Sequence, residues 1–469
     1  MTAKFERQAI RSSTLRLDFS TWSLSHFGDM NKTTLMILNC FFSVLLFSGC
    51  NTEYGDTNST LQEATQEAVN PSDSQTQENT SASSQYPVLL GMDEKAPEPI
   101  PLDEDLLRDG WISLFDGSTL YGWVAECEAD WSAEDGTITV SQGDVGLLRT
   151  VTTFSSYQLQ LEFKSESGTN SGVFLNTPGK PTDPSSDCYE LNIADADNPF
   201  PTGSLVGRKK IEGDNHSAEW QTYDITVADG AIKVYLDGNL ILDYTDDAPI
   251  NRGYIALQHN SGKVSFRNIL LRPIGSSSLF NGQDLTGWIE YPEMDSRFSV
   301  DTNGHLYVEN GRGQLETEDS YADFILQLEC LTHAPNLNSG IFFRCIPGDT
   351  MMGYESQIHN GMKDNNPLTP EDHGTGGIFR RQTARRIVAT DQEWFYNTII
   401  ADGDHFAVWV NGYQVSNWRD NRDSDENPRR GLRTEAGTIM IQGHDPTTQI
   451  SFRNLSILEL PAMSNVTEQ

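Results

Sequence analysis

Tyr157-Gln158-Leu159-Gln160-Leu161-Glu162-Phe163 alternates large apolar and polar residues without a break. A period of two puts the apolar side chains on one face of a strand and the polar ones on the other. Ile232, Val234 and Leu236 repeat the pattern and run into Asp237-Gly238, a hairpin turn, before Leu240 and Leu242. Phe324, Leu326 and Leu328 alternate again, as do Phe406, Val408 and Val410, which turn at Asn411-Gly412. No long helical period occurs. Short alternating strands with tight turns predict an all-β chain of antiparallel sandwich or jelly-roll architecture.

The pattern occurs twice. Leu114-Phe115-Asp116-Gly117-Ser118-Thr119-Leu120-Tyr121-Gly122-Trp123 returns as Leu279-Phe280-Asn281-Gly282-Gln283-Asp284-Leu285-Thr286-Gly287-Trp288. Asn170-Ser171-Gly172-Val173-Phe174 answers Asn338-Ser339-Gly340-Ile341-Phe342, and Tyr189-Glu190 answers Tyr354-Glu355. Thr202-Gly203, Glu219-Trp220 and Ser265-Phe266-Arg267-Asn268 answer Thr375-Gly376, Glu393-Trp394 and Ser451-Phe452-Arg453-Asn454. The same order throughout predicts two tandem jelly-roll β-sandwich domains, residues 106–275 and 276–461. The period is too long for a solenoid. The short linker, residues 273–278, predicts that the domains touch.

Length supports this division, since 469 residues leave each copy enough chain for its own core. The net charge of −35 argues against nucleic acid, whose phosphates need Lys and Arg, and against anionic membrane surfaces. Cys40, Cys50, Cys127, Cys188, Cys330 and Cys345 form no Cys-x-x-Cys pair, so a zinc or redox site has no support. The last four could pair in an exported protein, with connectivity open.

Ahead of the domains, Met30 opens a short Lys32-bearing stretch. An apolar run follows through Met36-Ile37-Leu38 to Leu45-Leu46-Phe47, ending in Ser48-Gly49-Cys50. That is a secretory signal, residues 30–50, whose small-small-Cys ending resembles a bacterial lipoprotein box with Cys50 as the lipidated residue. An ordinary cleaved signal or a short anchor is the other reading. Residues 1–29 read as a misassigned N-terminal extension. Residues 51–105, rich in Ser, Thr, Gln and Asn, read as a disordered linker. The expected location is the cell envelope, with the membrane reached by the lipid only.

Several constellations could carry chemistry. In Asn338-Ser339-Gly340-Ile341-Phe342-Phe343-Arg344, alternation places Phe342 and Arg344 on one face, where Arg344 could hold a substrate oxygen; a turn followed by an exposed Arg is the plainer reading. The first copy has Asn176 at the step nearest Arg344. Glu355, Gln357 and His359 share one strand face, suited to a sugar groove or to an acid beside a base, or else to solvent. Glu190 and Asn192 persist in the first copy, where Ala194 replaces His359. Gly376-Gly377-Ile378-Phe379-Arg380-Arg381, with Arg385 and Arg386, is a basic island that either stabilises an oxyanion or pairs with nearby carboxylates. His444 and His259 could titrate near neutral pH or be held structurally in loops. Trp123, Trp220, Trp288 and Trp394 read as core rather than sugar platforms. Asp195-Ala196-Asp197-Asn198 hints at calcium without the spacing of an EF-hand, so a divalent metal has no support and no cofactor is expected. Nucleophile elbow, His-Glu-x-x-His and phosphate loop are all missing from the sequence.

Taken together, the Leu-Phe-Asp-Gly-x-x-Leu-x-Gly-Trp opening, Asn-Ser-Gly-Ile-Phe-x-Arg, Tyr-Glu-x-Gln-Ile, Thr-Gly-Gly-Ile-Phe, Glu-Trp and closing Phe-Arg-Asn resemble the 3-keto-disaccharide hydrolase domain family. The resemblance spans nearly all of both copies, the second more closely. The residue after Glu-Trp, commonly Asn in that family, is Phe395 there and Gln221 in the first copy. It implies a concanavalin A-like fold and an oligosaccharide or glycoside already oxidised at C3. A C3 ketone acidifies the C2 proton, so a carboxylate can remove it, the C1 group can leave by elimination, and water can add back. On the matching positions Glu355 is the expected base, His359 or His444 the acid, and Arg344 or Arg380 the oxyanion partner. Gln357, Asn338, Tyr354, Glu190 and His259 are expected to bind substrate, with catalysis in the second copy. A non-catalytic, lectin-like surface lipoprotein is the alternative.

Overall fold

The strand Tyr157–Ser165 buries Tyr157, Leu159, Leu161 and Phe163 and leaves the residues between them partly open. The computed structural model that shows this describes residues 89–463. The extension, the signal, Cys50 and most of the linker lie outside the described residues.

Each copy is a sandwich of two antiparallel sheets, a jelly roll. In the first, a large sheet runs in the order Asn239–Thr245, Ala231–Leu236, Gln221–Ala228, Tyr157–Ser165, Val264–Pro273, Thr137–Val140 and Ser132–Glu134. A small sheet faces it, in the order Trp123–Ala125, Gly146–Thr150, Tyr254–His259, Asn170–Thr177 and Tyr189–Ala194. The second copy repeats both sheets; its small one runs Trp288–Glu290, Gly313–Thr317, Thr438–Gly443, Ser339–Cys345 and Tyr354–Ile358. The apolar stripes meet between the sheets.

The repeated motifs hold this frame. Trp123 Nε1 donates to Leu114 O at 2.7 Å, and Trp288 Nε1 to Leu279 O at 2.8 Å, so each Trp closes the loop that precedes it. Trp123 and Trp288 are core, as expected. Arg267 and Asn268 bind Glu162, and Arg453 and Asn454 bind Glu329, across a bulge in which each Asn has positive φ. Each Arg also covers the Trp of the Glu-Trp pair, at 4.0 Å to the ring of Trp220 or Trp394.

The two domains share a core. Ile325, Ile400, Ala407 and Trp409, on the outward face of the second large sheet, join the apolar cluster of the first domain. This is why Phe324–Thr332 is buried on both faces where its first-copy counterpart is not. Trp409 Nε1 donates to Ser113 O at 2.9 Å. Arg252 of the first domain donates to Asp323 and Asp402 of the second, at 2.8 and 2.5 Å.

One expectation is corrected. The last part of the supposed linker, from residue 89, is docked rather than free. Leu90 N donates to Trp123 O at 3.1 Å. Ala96 is buried, Tyr413 donates to Pro97 O, and Glu98 pairs with Arg386. A short helix, Glu104–Arg108, follows. Scattered Leu and Ala side chains suffice here because they land on surface that two domains already provide.

Candidate functional site

The small sheet of the second domain sends Ile341, Phe343, Tyr354, Ile358, Ile439 and Ile441 into the core. Alternation therefore turns Gly340, Phe342, Glu355, Gln357, Met440 and Gln442 to its other face. Residues 375–379 extend this face by pairing with the Tyr354–Ile358 edge: Gly376 N donates to Gln357 O at 2.8 Å and Phe379 N to Glu355 O at 2.9 Å.

Glu355 is 7 % exposed, and its carboxylate accepts no hydrogen bond from any described residue. Burial pushes its pKa up to about 7, nearby Asp372 adds to the rise, and Arg429 and Arg380 oppose it. Glu355, Phe379, Arg380 and Arg429 line a cavity of about 60 Å³. Arg380 is exposed, in a left-handed conformation (φ 59°), its guanidinium 5.2 Å from the Phe379 ring centre. Arg429 covers Phe342 at 5.6 Å. Beside them Gln357 and Asn338 both donate to Asp372 Oδ2, at 2.8 and 2.5 Å, which leaves the Gln357 Oε1 buried without a partner. The Gln442 Oε1 is likewise unpartnered.

His359 lies four residues along the same strand line from Glu355. Its Nδ1 accepts from Gly361 N at 3.1 Å, which leaves Nε2 as the donor of the neutral ring. His373, which the sequence reading missed, accepts from Arg380 N through Nε2 at 3.3 Å and meets Thr383 through Nδ1 at 3.3 Å. Both ring nitrogens are thus committed to the loop that carries Arg380, and burial lowers the His373 pKa. The one sequence signal for Asp372 and His373 is their place just before Gly376-Gly377; Arg429 has none.

Other expected site residues lie elsewhere. Arg344 does not line the face. Its bulge (φ 48°) turns it inward, fully buried, with bonds to Ala322 O, Gly403 O, Arg433 O and Asp323 Oδ1. Asn176 holds the same bulge in the first domain (φ 49°). Alternation failed here because the extra residue reverses the side-chain phase. Tyr354 lines the cavity, but its ring packs in the core, 4.4 Å from the Phe406 ring, and its hydroxyl donates to Asp420 at 2.8 Å. His259 follows Gln258 on its strand and so takes the Leu257 side, 3 % exposed, with burial lowering its pKa. His444 is exposed and paired with Asp445 at 2.9 Å. Of the basic island, Arg385 pairs with Asp116 of the first domain at 2.6 Å and Arg386 with Glu98, while Arg380 and Arg381 line the cavity, Arg381 donating to Arg429 O at 2.8 Å.

The first domain carries a reduced version of the site. Glu190, 8 % exposed, has its pKa raised to about 7 by burial, against a hydrogen bond from Gln258 Nε2 at 3.1 Å. Backbone pairing aligns Val206 with Phe379 and Thr202 with Thr375. Gly207 therefore stands where Arg380 does, and Phe200 where His373 does.

Among the described residues the cysteines Cys127, Cys188, Cys330 and Cys345 are unpaired, and no group of three or more His, Cys, Asp or Glu side chains is placed to hold a metal ion. No helix there is long and apolar enough to cross a membrane.

Fold and site define a tandem jelly-roll protein with a buried carboxylate on the small sheet of each module, unbonded in the second. The 3-keto-alpha-glucoside-1,2-lyase-like domain matches residues 110–272 and again 275–458, and the chain belongs to that family. A 3-keto-disaccharide hydrolase of Bacteroides thetaiotaomicron is 34 % identical over 92 residues, 17 % of this chain and 32 % of that protein, so the match spans about a third of the relative. A candidate glycosyl hydrolase of Parabacteroides distasonis aligns at 25 % identity and TM-score 0.31, covering 40 % of this chain and 100 % of that one. A carbohydrate-binding module of Bacillus subtilis aligns at 14 % identity and TM-score 0.27, covering 32 % and 95 %.

Proposed function

We propose that the second domain cleaves 3-keto-glycosides by elimination and rehydration. The observation that carries this is the Glu355 carboxylate: nine-tenths buried, unbonded, with a pKa near neutrality, and sharing a small cavity with Arg380. A base poised near the working pH removes a proton most efficiently. Glu355 takes the C2 proton of the substrate, and the electron pair left behind becomes the C2–C3 enolate. Arg380 stands by the C3 oxygen and meets its developing charge. The enolate expels the C1 oxygen, which His359 protonates from Nε2. Water then adds to the resulting enone: its hydroxyl goes to C1, its remaining proton restores His359 Nε2, and the proton held by Glu355 returns to C2. Gln357, Asn338 and Asp372 orient the hydroxyls. His373 positions the Arg380 loop, while Arg344 and Tyr354 act on the fold alone.

The test is to follow sugar release from a 3-keto-disaccharide and from its unoxidised parent. Release is expected from the keto form only, and turnover that survives Glu355→Gln would remove the base. Binding of the parent without turnover of the keto sugar would favour the lectin-like reading. As for location, an exported lipoprotein anchored through Cys50 accounts for the leader; Cys50→Ser should move the protein from the membrane to the soluble fraction.

A further inference from the structure

The unpartnered acceptors come in matched sets. In the second domain they are Gln357 Oε1 and Gln442 Oε1, and at the aligned positions of the first Asn192 Oδ1 and Gln258 Oε1; beside each pair lies a buried carboxylate, Glu355 without a hydrogen bond and Glu190 with one from Gln258 Nε2. The alignment follows from hydrogen bonds. Ser171 Oγ donates to Gln258 O, and Ser339 Oγ to Gln442 O, each at 2.7 Å. Gly172 pairs with Asn192, and Gly340 with Gln357. A buried acceptor without a donor is destabilising, so its occurrence at the same places in both copies marks a surface built for entering donors.

The donors of the first set are already committed. Asn192 Nδ2 is bound to Phe200 O, and Gln258 Nε2 to Glu190. Arg208, the nearest cation in sequence, is held by Asp246 at 2.6 Å and by the carbonyls of Pro184 and Cys188. Gly207, in the place of Arg380, offers no side chain. This face accepts hydrogen bonds, and its buried cation, Arg149, is already held by Glu126 at 2.7 Å and by Thr150 O. Glu190 Cγ and Gln258 Oε1 converge over Gly172, 3.4 and 3.6 Å from where its Cβ would stand.

We propose that the first domain is a second, non-catalytic sugar site selective for the unoxidised glycoside. A C3 hydroxyl donates to this acceptor face; a C3 ketone cannot. The second domain, with Arg380, takes the oxidised form. The preference for the ketone in the second domain rests on the function proposed above, whereas the binding of hydroxyls by the first does not.

Ligand-observed NMR on the full chain tests this with methyl α-glucoside and its 3-keto form as probes. Methyl α-glucoside is expected to bind wild type and Glu355→Gln alike, and at least tenfold more weakly to Gln258→Leu. Melting of each variant reports folding; if Gln258→Leu does not fold, Glu190→Gln, which keeps the shape but adds a donor, is expected to weaken binding in the same way. No binding of methyl α-glucoside to wild type overturns the proposal. So does binding that Glu355→Gln abolishes and the first-domain variants leave intact. Release from the keto sugar is read separately, so a failed catalytic reading leaves this result unaffected.

Discussion

Gly340 and Glu355 share one volume: a Cβ on Gly340 would stand 2.6 Å from Oε1 of Glu355. The glycine of the repeated Asn-Ser-Gly motif leaves room for the carboxylate. Gly340→Ala should push the Glu355 side chain off its place at a stability cost of about 1–3 kcal/mol. Release from a 3-keto-disaccharide should fall at least tenfold. Gly172→Ala, which meets only ordinary-to-tight contacts, should leave that rate within twofold. Equal rate losses in the two variants would disconnect the motif from the second domain's chemistry.

Glu355 links activity to pH and stability in opposite senses. Its folded pKa is raised to about 7 from 4.5, so between those values the folded chain holds more protons than the unfolded one. Stability should therefore fall as pH rises from about 4.5 to about 7, while the ionised base and the rate increase through pH 7. Glu190 adds a similar slope. Glu355→Gln should raise the melting temperature at pH 8 by removing a buried charge worth roughly 2–3 kcal/mol, yet lose turnover. Melting curves at pH 5 and pH 8 check the sign.

Arg380 and Arg344 should separate function from folding. Arg380 is exposed, so Arg380→Ala should leave melting within a degree or two while lowering turnover roughly 100- to 1000-fold, as for loss of an oxyanion donor. Arg344 is fully buried and ion-paired with Asp323 at 2.7 Å. Arg344→Met leaves that carboxylate short of a partner and should cost about 3–5 kcal/mol. A stable, inactive Arg344→Met would return this residue to the active site.

The shared core predicts that the domains unfold together. Arg252→Ala strands Asp402 and Asp323 at the seam, and Trp409→Ala empties part of the common cluster. Each should lower a single melting transition, the Trp variant by about 3–5 kcal/mol. The second domain alone would expose Ile325, Ile400, Ala407 and Trp409, so a fragment of residues 276–463 should be far less stable than the whole chain. Scanning calorimetry should show one transition; two would mean that the halves unfold separately.

Much of the fold was legible in the chain. Period-two alternation at Tyr157–Phe163 and at Phe406–Val410 identified strands because a sandwich buries one side of each, and hairpin turns at Asp237-Gly238 and Asn411-Gly412 followed from their residues. Glu355 and Gln357 were legible as one face for the same reason. Arg344 and His259 were misplaced because alternation holds only until a bulge shifts the phase, and because it names two faces without saying which one is solvent. Asp372, His373 and Arg429 belong to loops, where no period exists to place a side chain.

The sequence by itself determined the strand pattern, the duplication and the pairing of Glu190 with Glu355, since all three rest on local spacing that recurs. Tertiary structure alone decided which arginine faces the carboxylate, that Arg385 and Arg386 hold the domain seam and the N-terminal segment, and that Ile325 and Trp409 complete a neighbour's core. Those outcomes depend on which distant surfaces meet, and burial then set the Glu355 pKa by stripping away the water that the chain in isolation would have kept.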